Sequence, residues 1–382
     1  ISSYDVVVVR SETKITKQVI EKAERLKIIG RAGVGLDNID LDAATHAGII
    51  VMNAPEGNTI SAAEHTVAMM MALARNIPQA NNSLKSGQWE KKKFMGQELY
   101  NKILGIIGLG RIGRRVACIA HGLGMKVMGY DPLIDRVFAS EQGITLLNLP
   151  GLFRESDFIT LHVPLNETTL HLIGEREFGL MKDGVMIINC ARGGIIDEDA
   201  LYKNIVGGKV KGAAIDVFEK EPPTGNPLLT LKEVIVTPHL AASTKEAQIN
   251  VAQQLAQQIV VALKKKVVSH AVNLPYLDEK SLAKLSPYLV LGEKIGLLLQ
   301  QISDGNINKV SISYSGDIIN YDLSLIRANI IVGLLKNSKI VNQVNASLIL
   351  KEKGIDIEET RVTAGGEFTN LITVEVHNCK KI

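Results

Sequence analysis

Three polar residues of this chain have types and positions that suit chemistry on a small organic acid. Arg192, Glu221 and His239 each follow a short apolar stretch. An arginine can hold a carboxylate by two parallel hydrogen bonds and polarise the oxygen on the neighbouring carbon. A histidine can accept the hydroxyl proton of that carbon, and a glutamate can orient the ring and stabilise its charged form. These residue types predict oxidation or reduction at the carbon next to a carboxylate.

Each of the three residues also has an interpretation without chemistry. Arg192 alone could be a surface arginine, Glu221 before two prolines could be a turn residue, and His239 could cap a following helix. The catalytic interpretation is favoured because all three come at the ends of predicted strands. His65, among methionines and alanines, is interpreted as a packed helix residue.

A glycine-rich turn, Gly108-Leu-Gly110-Arg-Ile-Gly113, predicts a dinucleotide-binding site. Gly108 permits a tight turn, Gly110 lets the backbone approach a pyrophosphate, and Gly113 lets the helix pack closely on the strand. The phosphates then meet free N–H groups at a helix N-terminus. Asp131, about twenty residues on, favours NAD over NADP because it binds both adenosine-ribose hydroxyls and repels a 2′-phosphate. The alternative is a glycine turn in an unrelated sheet, with Asp131 merely preceding Pro132.

Short apolar runs alternate with amphipathic stretches through the first two thirds of the chain, which predicts a parallel sheet with helices on both faces. The carboxyl ends of such strands open onto one crevice, so the catalytic candidates and the glycine turn are expected together. We predict strands at Val6–Val9, Lys27–Ile29, Ile49–Met52, Ile103–Ile107, Lys126–Tyr130, Phe158–Val163, Val185–Asn189, Gly212–Asp216 and Val234–Thr237. We predict helices at Thr16–Arg25, Ser61–Arg75, Gly113–Leu123 and Lys245–Leu263, with Ser61 as an N-cap.

The alternation stops after residue 265, and the pattern there indicates a separate α+β module. A helical pattern at Ser281–Gln301 is expected to break at Pro287. The other elements predicted for this module are strands at Lys309–Tyr314 and Leu371–Val376, and helices at Leu325–Leu335 and Ala346–Lys353.

Composition limits the class of protein. A length of 382 residues predicts two or three domains, and a formal net charge of +3 does not indicate a nucleic-acid partner. Three scattered cysteines without metal or redox spacing indicate a reducing compartment, and no apolar run is long enough to span a membrane. We therefore expect a cytoplasmic protein with no metal, membrane or nucleic-acid partner. Because the chain starts without methionine and almost at once enters a strand, we expect native residues before Ile1.

Several motifs resemble the D-isomer-specific 2-hydroxyacid dehydrogenase family, and within it the phosphoglycerate dehydrogenases, especially those of the animal type. The motifs are the glycine turn already described, Asn189-Cys-Ala-Arg-Gly-Gly, Asp216-Val-Phe-Glu-Lys-Glu-Pro-Pro, Pro238-His-Leu-Ala-Ala-Ser-Thr-Lys-Glu, Arg31-Ala-Gly-Val-Gly-Leu-Asp-Asn, Asn53-Ala-Pro-Glu-Gly-Asn and Trp89-Glu-Lys-Lys-Lys-Phe-Met-Gly. The resemblance extends over nearly the whole chain. It implies an NAD-dependent oxidoreductase.

The resemblance also implies a role for each matching residue. Arg192 would bind the substrate carboxylate and C2 oxygen, His239 would be the acid/base, and Glu221 would pair with His239. Val34 stands where the animal-type enzymes have a threonine, so only its backbone could contact the cofactor. The implied cofactor site comprises Val34, Gly108, Gly110, Arg111, Ile112, Gly113, Asp131, Val163, Cys190, Ala191, Arg192, Asp216, His239 and Ala242.

The domain organisation implied by the resemblance has three parts. Residues 55–242 would form a Rossmann-type doubly wound parallel-sheet domain that binds NAD. Residues 1–54 with 243–270 would form a flavodoxin-like substrate-binding (lid) domain, truncated at its N-terminus. Residues 271–382 would form a C-terminal α+β module that resembles an allosteric-substrate-binding domain, incomplete and without the serine-binding domain that ends many relatives. The assembly would be a homodimer or homotetramer.

The expected reaction is oxidation of 3-phospho-D-glycerate to 3-phosphohydroxypyruvate, the first step of serine biosynthesis. A phosphate needs cations beyond Arg192, and arginine suits its oxygens. Arg10 and Arg31 lie at predicted strand ends, and Asn53 and Asn58 could bind the carboxylate or the C3 side. The run of three lysines at 91–93, beginning with Lys91, could reach the phosphate site of a partner subunit or could be a solvated basic patch.

Two alternative functions fit the same motifs. A glyoxylate or hydroxypyruvate reductase on this scaffold would need neither Arg10 nor Arg31. An NAD-sensing transcriptional corepressor would keep Arg192, Glu221 and His239. Corepressors of that kind end in a disordered tail, whereas residues 280–376 have patterned helices and strands, which favours the enzyme.

Overall fold

The structure of the chain is a computed structural model that describes residues 1–265, 268, 271–275, 278–303, 307–337, 341–363 and 368–378. The chain divides into two compact units. Residues 1–55 with 250–382 form unit 1, and residues 56–249 form unit 2. No helix in the described ranges is long and apolar enough to cross a membrane.

The strands and helices follow the order that the sequence predicts. The strands are β1 (Val6–Val9), β2 (Ile28–Arg31), β3 (Ile50–Asn53), β4 (Ile103–Ile107), β5 (Lys126–Tyr130), β6 (Thr145–Leu146), β7 (Phe158–Leu161), β8 (Val185–Asn189), β9 (Val210–Ile215), β10 (Val234–Val236), β11 (Ile307–Gly316), β12 (Asp356–Val362) and β13 (Asn370–Asn378). The helices are α1 (Lys17–Glu21), α2 (Leu41–His46), α3 (Thr59–Ala74), α4 (Ile77–Lys85), α5 (Arg111–Gly122), α6 (Arg136–Glu141), α7 (Leu149–Glu155), α8 (Glu175–Leu180), α9 (Glu198–Val206), α10 (Lys245–Lys265), α11 (Glu279–Ile302), α12 (Ser324–Leu334) and α13 (Ala346–Glu352). Short 3-10 turns occupy Lys91–Phe94, Pro227–Thr230 and Asp317–Asn320.

Unit 2 is built on a seven-stranded parallel sheet in the order β10-β9-β8-β7-β4-β5-β6. One face forms an apolar core with Met70 and Val116, and the other forms a core with Phe178 and Leu201. Because both faces are covered, the central strands are almost entirely apolar, with Thr160 and Asn189 as buried polar exceptions. The chain leaves β4 toward β5 on one side and returns to β7 on the other. This reversal of strand order is where doubly wound sheets bind ligands.

Unit 1 contains two separate three-stranded sheets. Strands β1, β2 and β3 form a parallel sheet in that order, and α10 packs across it. The contact is close, because a Cβ atom on Gly30 would lie 3.1 Å from side-chain atoms of Leu255 and Ile259. In the second sheet β11 lies between β12, which is parallel to it, and β13, which is antiparallel. The α/β class, the doubly wound sheet and the C-terminal α+β module are therefore confirmed.

Two local predictions are wrong. Helix α3 begins at Thr59 with Asn58 as its N-cap, so Ser61 lies inside the first turn and donates its hydroxyl to Asn58 O at 3.0 Å. Helix α11 continues through Pro287 instead of breaking there. The missing backbone hydrogen bond is tolerated because α11 packs very closely on α12, where a Cβ atom on Gly296 would lie 2.0 Å from Ile330 O.

Strand β12 is absent from the predictions. All seven of its residues are exposed, and its sequence, Asp-Ile-Glu-Glu-Thr-Arg-Val, has no alternation of apolar and polar side chains. Its backbone pairs with β11 along its whole length. The three-domain division stays a prediction, and parts of its ranges 243–270 and 271–382 lie outside the described residues.

Candidate active site

The glycine turn after β4 has the geometry of a phosphate-binding loop. Gly108 has φ +95°, and a Cβ atom there would lie 2.5 Å from His162 O. A Cβ atom on Gly113 would lie 2.0 Å from Gly108 O, so both positions require glycine for the fold itself. Gly110 is different, because within the described part of the chain nothing lies within 4 Å of its Cβ position. The space beside Gly110, at the N-terminus of α5, therefore fits a group from outside the chain, such as a pyrophosphate.

Asp131 is fixed at the end of β5, beside this turn. Its two carboxylate oxygens accept hydrogen bonds from Leu109 N at 2.8 Å and Leu133 N at 2.9 Å. Each oxygen retains a second lone pair, so the carboxylate can also accept the two hydroxyls of a ribose. The arrangement matches the predicted preference for NAD.

The resemblance places two further residues, Arg111 and Ile112, beside the pyrophosphate and Val163 on the adenosine side, and all three lie close to the glycine turn in the sequence or the structure. Arg111, the first residue of α5, pairs with Glu56 at 3.2 Å on the surface of unit 2. Ile112 packs against the apolar core, and Val163 lies beside Gly108, with its Cγ1 atom 2.8 Å from the position of a Cβ there. Their contacts with a cofactor stay predictions.

Arg192 lies in a loop that a buried asparagine holds at the end of β8. Asn189 donates its amide to Arg192 O at 2.8 Å and accepts from Ala191 N at 3.0 Å. The guanidinium of Arg192 is half-buried and donates from Nη1 to Ala191 O at 2.7 Å. The next residue, Gly193, touches the loop after β9, since a Cβ atom there would lie 1.8 Å from Phe218 O. The loops after β8 and β9 are thus in direct backbone contact.

Glu221 and His239, from the loops after β9 and β10, form a side-chain pair. His239 Nδ1 lies 2.9 Å from Glu221 Oε2 and 3.1 Å from Oε1. Glu221 Oε1 also accepts from Phe218 N at 3.2 Å. With Nδ1 bound to the carboxylate, the other ring nitrogen, Nε2, is the one that can meet a substrate.

The backbone of His239 has an unusual conformation. Its φ of +54° lies in the left-handed region, which costs a residue other than glycine about 1–2 kcal/mol. The buried residue Asp216 holds it there: Asp216 O accepts from His239 N at 2.9 Å, Oδ1 from Leu240 N at 2.7 Å and Oδ2 from Ala241 N at 2.9 Å. Ala242, also predicted at the cofactor site, follows directly and is exposed. The strained backbone at the predicted acid/base is therefore fixed by three hydrogen bonds.

The surroundings of Asp216 favour its charged form although the residue is fully buried. Burial alone would raise the pKa of its carboxyl, but hydrogen bonds from His65, Thr237 and two backbone amides outweigh burial and lower the pKa. Thr237 Oγ1 lies 2.5 Å and His65 Nε2 3.3 Å from Asp216 Oδ1. The family resemblance also implies that Asp216 lies beside the nicotinamide, and that contact stays a prediction.

The predicted substrate residues of unit 1 meet at one edge of its parallel sheet. Arg31 and Asn53 end β2 and β3 and are register partners, and Arg10 follows directly after β1. Arg31 is half-buried and donates from Nη1 to Ala32 O at 3.3 Å. Asn53 donates its amide to Val34 O at 2.8 Å, so the backbone carbonyl of Val34 already has a partner in the protein.

Asn58 and Lys91, the remaining substrate candidates, lie in unit 2. Asn58 precedes α3, and its Oδ1 atom is buried with no hydrogen-bond partner among the described residues. Lys91 is exposed at the start of its 3-10 turn.

Comparison with known proteins identifies the family of this chain. The model of the D-isomer specific 2-hydroxyacid dehydrogenase NAD binding domain matches residues 67–241, and that of the D-3-phosphoglycerate dehydrogenase intervening domain matches residues 284–382. A D-3-phosphoglycerate dehydrogenase of Methanocaldococcus jannaschii is 48% identical over 100% of this chain and 73% of its own length. This chain belongs to the D-isomer-specific 2-hydroxyacid dehydrogenases. As a member of that family it is an NAD-dependent oxidoreductase, as the glycine turn and Asp131 predict.

Two further relatives show how widely this similarity extends. The human D-3-phosphoglycerate dehydrogenase is 44% identical over 92% of this chain and 66% of its own length. The similarity is therefore not particular to the animal type. A crystal structure of a D-lactate dehydrogenase from Aquifex aeolicus, complexed with NAD and lactic acid, has a TM-score of 0.66 and 34% identity. The match covers 72% of this chain and 88% of that one.

Sequence reasoning missed the polar surroundings of Asp216. His65, interpreted as a packed helix residue, is half-buried and touches both Asp216 and Thr237. His65, Cys190 and Asp216 place potential metal ligands within 4.8 Å of one another. Burial raises the pKa of the Cys190 thiol to about 12, and Asp216 already accepts hydrogen bonds from the amides of Leu240 and Ala241. The sequence indicated only that an aspartate directly after an apolar strand needs hydrogen-bond donors, and not which residues supply them.

Proposed function

We propose that this chain catalyses the reversible, NAD-dependent oxidation of 3-phospho-D-glycerate to 3-phosphohydroxypyruvate, which begins serine biosynthesis. The observation that carries the proposal is the 2.9 Å contact of His239 Nδ1 with Glu221 beside the loop of Arg192. The three residues follow β10, β9 and β8, which are neighbours in one parallel sheet. The 48% identity to a phosphoglycerate dehydrogenase over the whole chain supports the choice of substrate.

The proposed mechanism assigns one task to each side chain. Arg192 binds the substrate carboxylate and the C2 oxygen by charge-assisted hydrogen bonds. His239 Nε2 accepts the proton of the C2 hydroxyl, while Nδ1 stays bound to Glu221, whose negative charge stabilises the imidazolium. The glycine turn and Asp131 would hold NAD, which would supply the acceptor for the hydride of C2. In the reverse direction His239 returns its proton to the C2 oxygen.

The phosphate is assigned to cations of unit 1. Arg10 and Arg31 follow neighbouring parallel strands, and the guanidinium geometry matches phosphate oxygens. Asn53 and Asn58 are assigned to the carboxylate or the C3 side of the substrate, and Lys91 to the phosphate site of a partner subunit. We also propose a cytoplasmic homodimer or homotetramer with the three functional domains predicted from the sequence.

Substrate choice is tested by comparing NADH oxidation with phosphohydroxypyruvate, hydroxypyruvate, glyoxylate and 2-oxoglutarate. We expect the highest kcat/KM with phosphohydroxypyruvate. An equal or higher value with hydroxypyruvate or glyoxylate would instead assign the chain to the reductases of this family.

The role of His239 is tested by His239→Ala. We expect kcat to fall by about 10²- to 10⁴-fold with little change in NADH affinity, because the general acid/base acts on the substrate proton. His46→Ala is a matched control, since His46 forms a similar pair with Glu352 at 3.0 Å in unit 1. Equal loss of turnover and NADH binding in His239→Ala would show that the residue is only structural.

A further inference from the structure

A single side chain outside the proposed catalytic set contacts the loop that carries Glu221 at two points, one on each side of Glu221. Glu198, the first residue of α9, accepts a hydrogen bond at Oε1 from Glu219 N, at 2.7 Å. Its Oε2 atom accepts from Asn226 Nδ2, at 2.5 Å. The backbone N–H of Glu198 donates to Glu219 Oε1 in return, at 3.4 Å. Glu198 and Glu219 are therefore joined in both directions.

This arrangement brings two carboxylates together, which is electrostatically unfavourable. Burial raises the pKa of Glu198, and the nearby charges of Glu219 and Asp199 act in the same direction, while the bonds from Glu219 N and Asn226 oppose them. His171 Nε2 lies 3.0 Å from Glu219 Oε1 and offsets part of the repulsion when it is protonated. The repulsion between the carboxylates of Glu198 and Glu219 reduces what their contact can contribute to the stability of the fold, so stability alone does not explain the contact.

The loop held by Glu198 sets where the Glu221 carboxylate lies. Glu219 is two residues before Glu221. The Glu221 side chain folds back onto the same loop, where its Oε1 atom accepts a hydrogen bond from Phe218 N. The Glu221 carboxylate also contacts His239. Both side chains are partly exposed, 41% for Glu221 and 48% for His239. Exposed ion pairs contribute about 0–1 kcal/mol, too little to position two side chains by themselves. The pair therefore depends on a backbone that other contacts fix.

We propose that Glu198 is a positioning residue for Glu221. By holding Glu219 and Asn226, it fixes the loop from which Glu221 reaches His239 Nδ1. The inference rests on the proposed function, because it assumes that Glu221 is the partner of the acid/base. Glu198 itself touches neither of the two side chains among the contacts of the described residues.

The variants to compare are Glu198→Ala, Glu198→Gln, Glu221→Ala and the double variant Glu198→Ala/Glu221→Ala. Glu221→Ala is expected to move the half-maximal point of the pH–kcat/KM profile for oxidation to lower pH, because the imidazolium of His239 loses a stabilising charge. Glu198→Ala is expected to move it in the same direction and to lower kcat/KM by about 10- to 100-fold, as small misplacements of catalytic groups do. NADH affinity is expected to stay unchanged.

Glu198→Gln should show partial rescue, because its one oxygen can still accept from Glu219 N while its amide group meets another amide at Asn226. Asp199→Ala is the matched control: it removes a carboxylate from the same first turn of α9, and among the described residues that carboxylate has no bond to the loop. Its pH profile is expected to equal that of the parent protein.

The double variant decides whether Glu198 acts through Glu221. We expect it to match Glu221→Ala within about twofold, because contacts in one network are not additive. Fully multiplied losses, or a Glu198→Ala profile that does not move while only thermal stability falls, would overturn the inference. If Glu221→Ala itself leaves the profile unmoved, the proposed role of the His239–Glu221 pair fails instead. Should Glu198→Ala not fold, Glu198→Gln and its double variant with Glu221→Ala give the same comparison.

Discussion

Substitution of Gly110 by alanine separates cofactor binding from folding. The backbone there has φ −64° and ψ −164°, which alanine can adopt, and in the described chain its Cβ would meet nothing within 4 Å. Such a change stabilises a protein by about 0.4–1 kcal/mol because the unfolded chain loses freedom. A methyl group in the space proposed for the pyrophosphate should displace at least one charge-assisted hydrogen bond. A loss of about 1.5–3 kcal/mol corresponds to a Kd for NADH roughly 10- to 150-fold higher.

The assay combines urea denaturation with fluorescence titration of NADH. Gly110→Ala should unfold at the same or a slightly higher urea concentration and bind NADH weakly. Gly113→Ala is the contrasting variant, because its Cβ would lie 2.0 Å from Gly108 O and should destabilise the fold by about 1–3 kcal/mol. Gly122→Ala lies on the same helix, and no atom of the described residues lies within 4 Å of its Cβ position, so this variant should leave NADH binding unchanged. Wild-type NADH affinity in Gly110→Ala would refute the placement of the pyrophosphate.

Two further predictions concern substrate choice and pH. Arg10→Ala and Arg31→Ala should each raise the KM for phosphohydroxypyruvate at least about tenfold, with little effect on the KM for hydroxypyruvate. Arg25→Ala, a surface control, should change neither KM. Unchanged KM values in Arg10→Ala and Arg31→Ala would contradict the assignment of these arginines to the phosphate. Burial lowers the pKa of His162 from 6.5 to about 4, so the unfolded protein binds a proton at this histidine more tightly than the folded protein does. The contribution of neutral His162 to the free energy of unfolding is therefore present above pH 6.5 and is lost as the pH falls toward 4. The pKa shift corresponds to about 3 kcal/mol in the free energy of unfolding. Urea denaturation between pH 4 and pH 6.5 should show that this free energy depends less steeply on pH in His162→Gln than in the parent protein, but equally steeply in the surface variant His121→Gln. Equal slopes in His162→Gln and the parent protein would contradict the prediction.

The strand ends that carry the candidate site could be predicted because several independent signals agree there. Buried parallel strands have continuous apolar runs, and Arg192, Glu221 and His239 each follow one. The glycine pattern with Asp131 is a local sequence signal, and the structure gives a separate steric reason for glycine at Gly108 and Gly113. Strand order could not be read directly, but the rules for doubly wound sheets put these ends on one edge.

The contacts that fix the site could not be predicted, because they join residues far apart in the sequence. Nothing near Asp216 in the sequence indicates that it receives His65 and the amides of Leu240 and Ala241. Glu198 likewise resembles an ordinary acidic residue in the first turn of a helix. Strand β12 could not be predicted, because backbone pairing with β11 stabilises it without any burial of its side chains. Packing between helices overrode the local preference of Pro287.

The double attachment of His239 has a consequence for how the rate responds to mutation. Asp216 restrains its backbone and Glu221 restrains its ring, so the entropy of placing the imidazole is lost once, during folding, and not again in each turnover. Substitutions that loosen the exposed contact with Glu221 should leave the cooperativity of unfolding intact while broadening the distribution of ring orientations. Defects of that kind can be catalytically severe and yet leave expression, solubility and melting temperature unchanged.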